Sequence, residues 1–156
     1  MTVNMAKQEL RPIIVYDGVC HLCNGSLSFV IRHQRSPHTF YFVPFQSDDG
    51  RFICEHYSIA PDAMSTFLYI ERGHLKTESS AWLRIMIQLS CGWRIVGRLA
   101  SLVPAPLRDF SYRLIGRHRY RWFGNSDVCL LPRGQKIDDV PDRQTIESIL
   151  KLPDVC

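Results

Sequence analysis

The chain has 156 residues, of which 46% are hydrophobic and 22% charged, with a formal net charge of +4. That length predicts one domain with room for a proper core, and the composition is ordinary for a soluble globular protein. No apolar run approaches the length that spans a bilayer, and residues 1–11 lack the apolar core of a signal peptide; the expectation is a cytoplasmic protein whose six cysteines, kept in a reducing compartment, form no disulfide framework.

Residues 1–11 read as a flexible lead-in, and 12–152 as a single domain. Residues 12–17 are β-branched and uninterrupted, the pattern of a buried strand. A helix is expected from about Cys20 to Arg35, its face traced by Leu22, Ser26, Phe29, Val30 and His33 and ended by Ser36-Pro37. Residues 40–45 form a second strand, with Pro44 near its exit. Asp48-Asp49 opens a helix running to about Tyr57. Residues 64–71 give a third strand, Arg72-Gly73 a tight turn, and His74 to Thr77 a fourth. Ser79 or Ser80 is expected to cap the next helix, which carries Ala81, Trp82, Ile85, Met86 and Leu89 and stops at Gly92. A helical extension fills about 92–123: an amphipathic stretch from Trp93 to Val103, then a helix from about Leu107 to His118 that buries Phe110, Leu114 and Ile115. Residues 124–140 are turn-rich, and Thr145 to Leu152 closes the chain as a helix. Strand, helix, strand, helix, hairpin, helix is the order of the thioredoxin fold: a right-handed βαβ crossover followed by an antiparallel pair.

The chemistry-bearing motif sits where the first strand meets the first helix: Asp17-Gly18-Val19-Cys20-His21-Leu22-Cys23. Two thiols one helical turn apart can close and reopen a small disulfide ring. A thiolate at the helix start is stabilised by the positive end of the helix dipole. Cys20, at the exposed helix start, is the expected nucleophile, and Cys23, one turn further in, the resolving thiol. A Cys-x-x-Cys is also half of a zinc site, but no second such pair exists to complete it. His21, if protonated, favours the Cys20 thiolate; otherwise it is an exposed loop residue. Asp17 has two readings: proton acceptor for Cys23, or a turn residue binding backbone amides. Cys54 and Cys91 fall within apolar helical patterns as inert core residues. Cys129 is either a third redox thiol or structural.

Charge is uneven. From Gly92 to Trp122 seven arginines face one acid, Asp109, while acids outnumber bases after Lys136. Such a face is either self-complementary with the tail or a docking surface for something anionic. The run Arg119-Tyr120-Arg121-Trp122-Phe123 resembles a nucleic-acid surface. Arginines snorkelling around aromatics that pack on the core are the preferred reading, so no nucleic-acid partner is expected.

Three groups of residues together resemble the DCC family of predicted thiol-disulfide oxidoreductases: Tyr16 to Gly25, Val43-Pro44-Phe45-Gln46-Ser47, and Arg117 to Gly124 followed by Cys129-Leu130-Leu131-Pro132. The Ser79-Ser80-Ala81 helix start also fits. The resemblance covers roughly residues 12–133. It implies an α/β, thioredoxin-like fold with a four-stranded mixed sheet, and dithiol–disulfide exchange at Cys20 and Cys23 of the protein-disulfide reductase type, with Asp17 beside them. The only cofactor expected is the cysteine pair itself, with no metal. The expected partners are a thiol or disulfide substrate and a recycling reductant. Thioredoxins proper place a cis-proline at the start of the third strand, where this chain has Met64-Ser65-Thr66. The rival reading is a non-catalytic binding or membrane-peripheral module using the basic 92–122 face, with the cysteine pair vestigial or zinc-bound.

Overall fold

The computed structural model describes residues 11–36, 39–60, 67–124 and 140–151. The lead-in, Met64-Ser65-Thr66, Cys129 and most of the turn-rich stretch lie outside these residues.

Strands β1 (Ile13–Tyr16), β2 (Tyr41–Pro44), β3 (Leu68–Glu71) and β4 (His74–Lys76) form one sheet in the order β2-β1-β3-β4. β1 and β2 are parallel, with Ile13 opposite Tyr41, while β1–β3 and β3–β4 are antiparallel. The parallel pair demands a crossover, and α1 (His21–His33) supplies it. The β3–β4 connection needs only two residues: Arg72 and Gly73 both have positive φ, the geometry of a hairpin turn that follows the sheet's twist. This sheet, with its crossover helix and terminal hairpin, is the thioredoxin-like arrangement.

Strand alternation divides the core in two. Ile14, Tyr16, Phe42 and Tyr69 point to one face, where α1 and α3 (Glu78–Gln88) pack through Leu27, Val30, Ala81 and Ile85. Ile13, Val15, Val43, Leu68 and Ile70 point to the other, covered by α2 (Asp48–His56) and α6 (Arg143–Leu150) through Ile53, Cys54, Ile146 and Ile149. Cys20 and Cys23 belong to the first face. Ser47 caps α2 by accepting from the Gly50 amide, and Asp142 caps α6 by accepting from Thr145.

Two further helices, α4 (Cys91–Ser101) and α5 (Ala105–Phe123), follow α3. Trp93 at the start of α4 meets the Phe29 ring edge-on at 4.8 Å, and Gly97 lets α4 approach α3, where a Cβ would lie 3.0 Å from Met86 Cβ. Several sequence expectations need correction here. The α3 helix begins after Thr77, so Ser79 and Ser80 lie in its first turn and cap nothing. The Ser79 hydroxyl donates instead to Asp109 on α5. Gly92 does not stop α3; it lies in the first turn of α4, which starts three residues after α3 ends. Cys91 is exposed rather than a core residue, whereas Cys54 is buried as expected. α5 runs to Phe123, five residues past the expected end, until Gly124 turns the chain at positive φ. Its Phe110, Leu114 and Ile115 are exposed, not buried. The inward side of α5 carries Asp109, Tyr112, Gly116 and Arg119; the Tyr112 hydroxyl accepts from the Phe67 amide at 3.2 Å.

Candidate active site

Cys20 is the N-cap residue of α1: its backbone is extended and its carbonyl accepts the first helical bond, from the Asn24 amide. The Asp17-Gly18-Val19 loop is held by its own polar groups. Asp17 Oδ1 accepts from the Val19 amide at 3.1 Å and from Gln46 Nε2 at 2.8 Å, Gln46 Oε1 accepts from the Gly18 amide, and Asn24 Nδ2 donates to the Gly18 carbonyl. Gln46 belongs to the Val43–Ser47 group of the family resemblance, in which nothing local to the sequence gives it a role. It is the strut that ties the exit of β2 to the exit of β1.

The other oxygen of Asp17 faces α5. Arg119 Nη2 donates to it at 3.0 Å and the Tyr120 hydroxyl at 2.7 Å. Arg119 reaches on with Nη1 to Cys23 Sγ at 3.4 Å. The ion pair is buried, with both side chains about 5% exposed or less, and the Arg119 guanidinium also lies over the Tyr120 ring at 4.4 Å. This corrects the reading of the aromatic–basic run. Arg119 does not snorkel to solvent, and Trp122 and Phe123 are exposed instead of packing on the core. Asp17 thus binds loop donors on one side and, on the other, the arginine and tyrosine that stand between it and the dithiol.

The two thiols differ sharply. The hydrogen bond from the Cys23 thiol, helped by the first-turn amides and by Arg119, lowers the Cys20 pKa to about 6, against the opposing effect of burial. The Cys23 thiol is pushed up, first by that same hydrogen bond to Cys20, then by burial and by the neighbouring negative charges. Tyr120 is pushed up to about 12 by burial and its bond to Asp17, so it stays a donor. Burial pushes Cys54 up to about 11, an inert thiol. The expected exposure of Cys20 is not found. It is 0% exposed and Cys23 5%; the Gly124 carbonyl at the end of α5 lies 3.5 Å from the His21 amide, over the helix start. His21 itself is exposed.

Two apolar depressions adjoin the pair. A cleft of about 210 Å³ reaches Cys23 and Arg119 between Leu22, Trp82, Tyr112 and Ile115. A more open groove of about 440 Å³ runs beside His21 along Leu22, Phe29, Trp82, Trp93 and Phe123. Among the described residues there is no disulfide and no cluster of three or more histidines, cysteines or acids placed to hold a metal ion. None of their helices is long and apolar enough to cross a membrane.

By class, the protein is a thioredoxin-like α/β domain that carries a Cys-x-x-Cys pair at the start of its first helix. The comparisons carry this to a family. The profile of the DCC1-like thiol-disulfide oxidoreductases matches residues 14–125, and the chain belongs to that family. It is 36% identical over 128 residues to YuxK, an uncharacterized protein of Bacillus subtilis, covering 81% of this chain and 91% of that one. It is 33% identical over 130 residues to a DCC family protein of Arabidopsis thaliana described as chloroplastic, covering 83% and 75%. No solved structure matches. The matched span ends just past α5, so Arg119 and Tyr120 lie within the family's shared region.

Proposed function

We propose that the chain exchanges its dithiol with the disulfide of a protein or small-molecule partner, with Cys20 as nucleophile and Cys23 as resolving thiol. The observation that carries this is the opposed acidity of the two sulfurs. At neutral pH a thiol of pKa about 6 is mostly thiolate, and the thiolate is the attacking species. It attacks one sulfur of the partner disulfide, forms a mixed disulfide through Cys20, and releases the other half as a thiolate. Cys23 stays protonated while Cys20 is anionic, because the hydrogen bond between them holds its proton.

Once Cys20 is in the mixed disulfide, that hold is gone and the charge of Arg119 remains 3.4 Å from the Cys23 sulfur. Cys23 then loses its proton to solvent or to the departing thiolate, attacks Cys20 Sγ, and expels the second partner thiol. The protein is left oxidised and returns to the dithiol at the expense of a thiol reductant. Asp17 acts as a positioning residue that fixes Arg119. With its oxygens already taken by four donors, it is poorly placed to act as a base for Cys23. Because Cys20 is covered, attack requires the helix start to open beside the apolar groove, whose Phe29, Trp82 and Trp93 suit the flanks of an unfolded or apolar partner.

The test is a disulfide-reduction assay with mass analysis. Mild oxidation should link Cys20 to Cys23, Cys20→Ser should abolish exchange, and Cys23→Ser should accumulate mixed disulfides. Activity persisting in Cys20→Ser, or oxidation that links Cys20 only to Cys129, would overturn the assignment.

A further inference from the structure

α4 and α5 are amphipathic in the inverted sense. α4 buries only Gly97, and its apolar side chains Ile95, Leu99 and Leu102, one helical turn apart, are 59%, 60% and 79% exposed. α5 turns Asp109, Tyr112, Gly116 and Arg119 inward and leaves Leu107, Phe110 and Trp122 in solvent. Pro104-Ala105-Pro106, all exposed, joins the two stripes at the tip of the hairpin. Large apolar side chains exposed in such number on two consecutive helices mark an interaction site.

The charges beside it select the occupant. Arg94 and Arg98 border the α4 stripe, and Arg113, Arg117 and Arg121 follow one another at single-turn spacing along one side of the α5 stripe. Among the described residues only Arg113 of these five is in an ion pair, with Glu78. The one acid of the hairpin, Asp109, faces inward to Ser79. A second copy of the chain is disfavoured, because a two-fold contact sets the same patch against itself and would face arginine with arginine. Apolar residues rimmed by arginines, four of the five in no ion pair among the described residues, match the boundary of a bilayer with anionic headgroups. We propose that the outer face of α4 and α5 docks the protein on an anionic lipid membrane. The contact is peripheral, and because α5 carries Arg119 on its opposite, inner side, it would hold the dithiol near the lipid surface.

Sedimentation of the full chain with phosphatidylcholine vesicles, with and without phosphatidylglycerol, tests this. Binding is expected to the anionic vesicles and to weaken with salt. Leu102→Ser and Phe110→Ser should reduce it, and Arg98→Gln and Arg117→Gln should each weaken it about five-fold. Reduction of a soluble disulfide should not change in these variants, which serves as the control for folding. Independently of any of them, the Trp122 emission of the otherwise native chain should shift to the blue on anionic vesicles, and that shift should vanish in Trp122→Phe. Absence of binding to anionic vesicles, equal salt-insensitive binding to both kinds, or a stable dimer that the serine variants disperse would each overturn the proposal.

Discussion

Replacing Cys23 separates the cause of the Cys20 acidity from the chemistry of resolution. The largest cause of its low pKa of about 6 is the hydrogen bond from the Cys23 thiol. Cys23→Ser keeps a hydroxyl donor at that position, Cys23→Ala removes it, and neither can close the disulfide. A hydrogen bond to a charged group is worth about 1.5–3 kcal/mol. At about 1.36 kcal/mol per unit, its loss should raise the Cys20 pKa by about one to two units, to between about 7 and 8. The thiolate fraction at pH 7 then falls from about nine-tenths to between about a half and a tenth. A more basic thiolate is also a better nucleophile, with a Brønsted slope of about 0.4–0.5, which returns about three- to eight-fold in rate. The two effects nearly cancel at pH 7, so a rate at one pH is blind to the change.

The midpoint is not blind to it. Alkylation of the reduced protein, resolved by site with mass spectrometry across a pH series, should give a Cys20 midpoint near 6 in the native chain, as its low pKa requires. Cys23→Ser should stay close to that value, and Cys23→Ala should lie one to two units higher, as the hydrogen-bond energy requires. A native midpoint near the ordinary thiol value of about 8.5, or the same midpoint in both variants, would refute the hydrogen-bond account.

Stability of the reduced form should also depend on pH. The folded pKa of Cys20, about 6, lies below the unfolded thiol value of about 8.5, so the unfolded state binds more protons between them. Stability therefore rises with pH across that window, by up to about 3 kcal/mol, and is lost as pH falls through the folded pKa. Urea melts of the oxidised form should lack this rise. Above the unfolded value the raised pKa of Cys23 works the other way and should lower stability again. Gly50→Ala should destabilise by at least about 1–3 kcal/mol, because its Cβ would sit 2.3 Å from the Pro44 carbonyl oxygen and 2.8 Å from Phe45 Cα; an unchanged melting temperature would contradict the close approach of α2 to β2. Asp17→Asn strips the counter-charge from a buried arginine, and denaturant melts should show a loss of about 3–5 kcal/mol.

The sheet was legible because alternation and β-branched runs report burial directly, and the two-residue Arg72-Gly73 turn has one common solution. The thiol pair was legible because a Cys-x-x-Cys after a strand places both sulfurs by local geometry alone. Arg119 was not, since it meets Asp17 across 102 positions of sequence and an arginine among aromatics looks the same whether it turns in or out. The α5 stripe of Phe110, Leu114 and Ile115 exposes a related limit. Helical period identifies an apolar face but not the surface that face meets, and here Gly116 and Tyr112, small and polar, took the inner side. Cys91 misled for the same reason. Its neighbours Trp93 and Gly97 pack inward while it starts the helix in solvent.

The Asp17–Arg119 pair is hard to account for as a stabilising device. Two charges about 5% exposed or less lose much of their hydration, and an apolar pair of similar volume is often as stable or more so. Packing alone would have been served by leucine on α5 and valine after β1. What an apolar pair cannot supply is a fixed positive charge against Cys23, in a pocket where water no longer screens it. Asp17 is needed for that charge to be tolerated there, Gln46 and the Val19 amide are needed to hold Asp17, and Tyr120 closes the remaining side of the carboxylate. The helices after α3 are therefore not an appendage to a complete thioredoxin-like domain. Of them, α5 places Arg119 against Asp17 and 3.4 Å from the Cys23 sulfur, and a chain truncated after α3 would keep the Cys-x-x-Cys motif while leaving Asp17 as a buried carboxylate with no arginine.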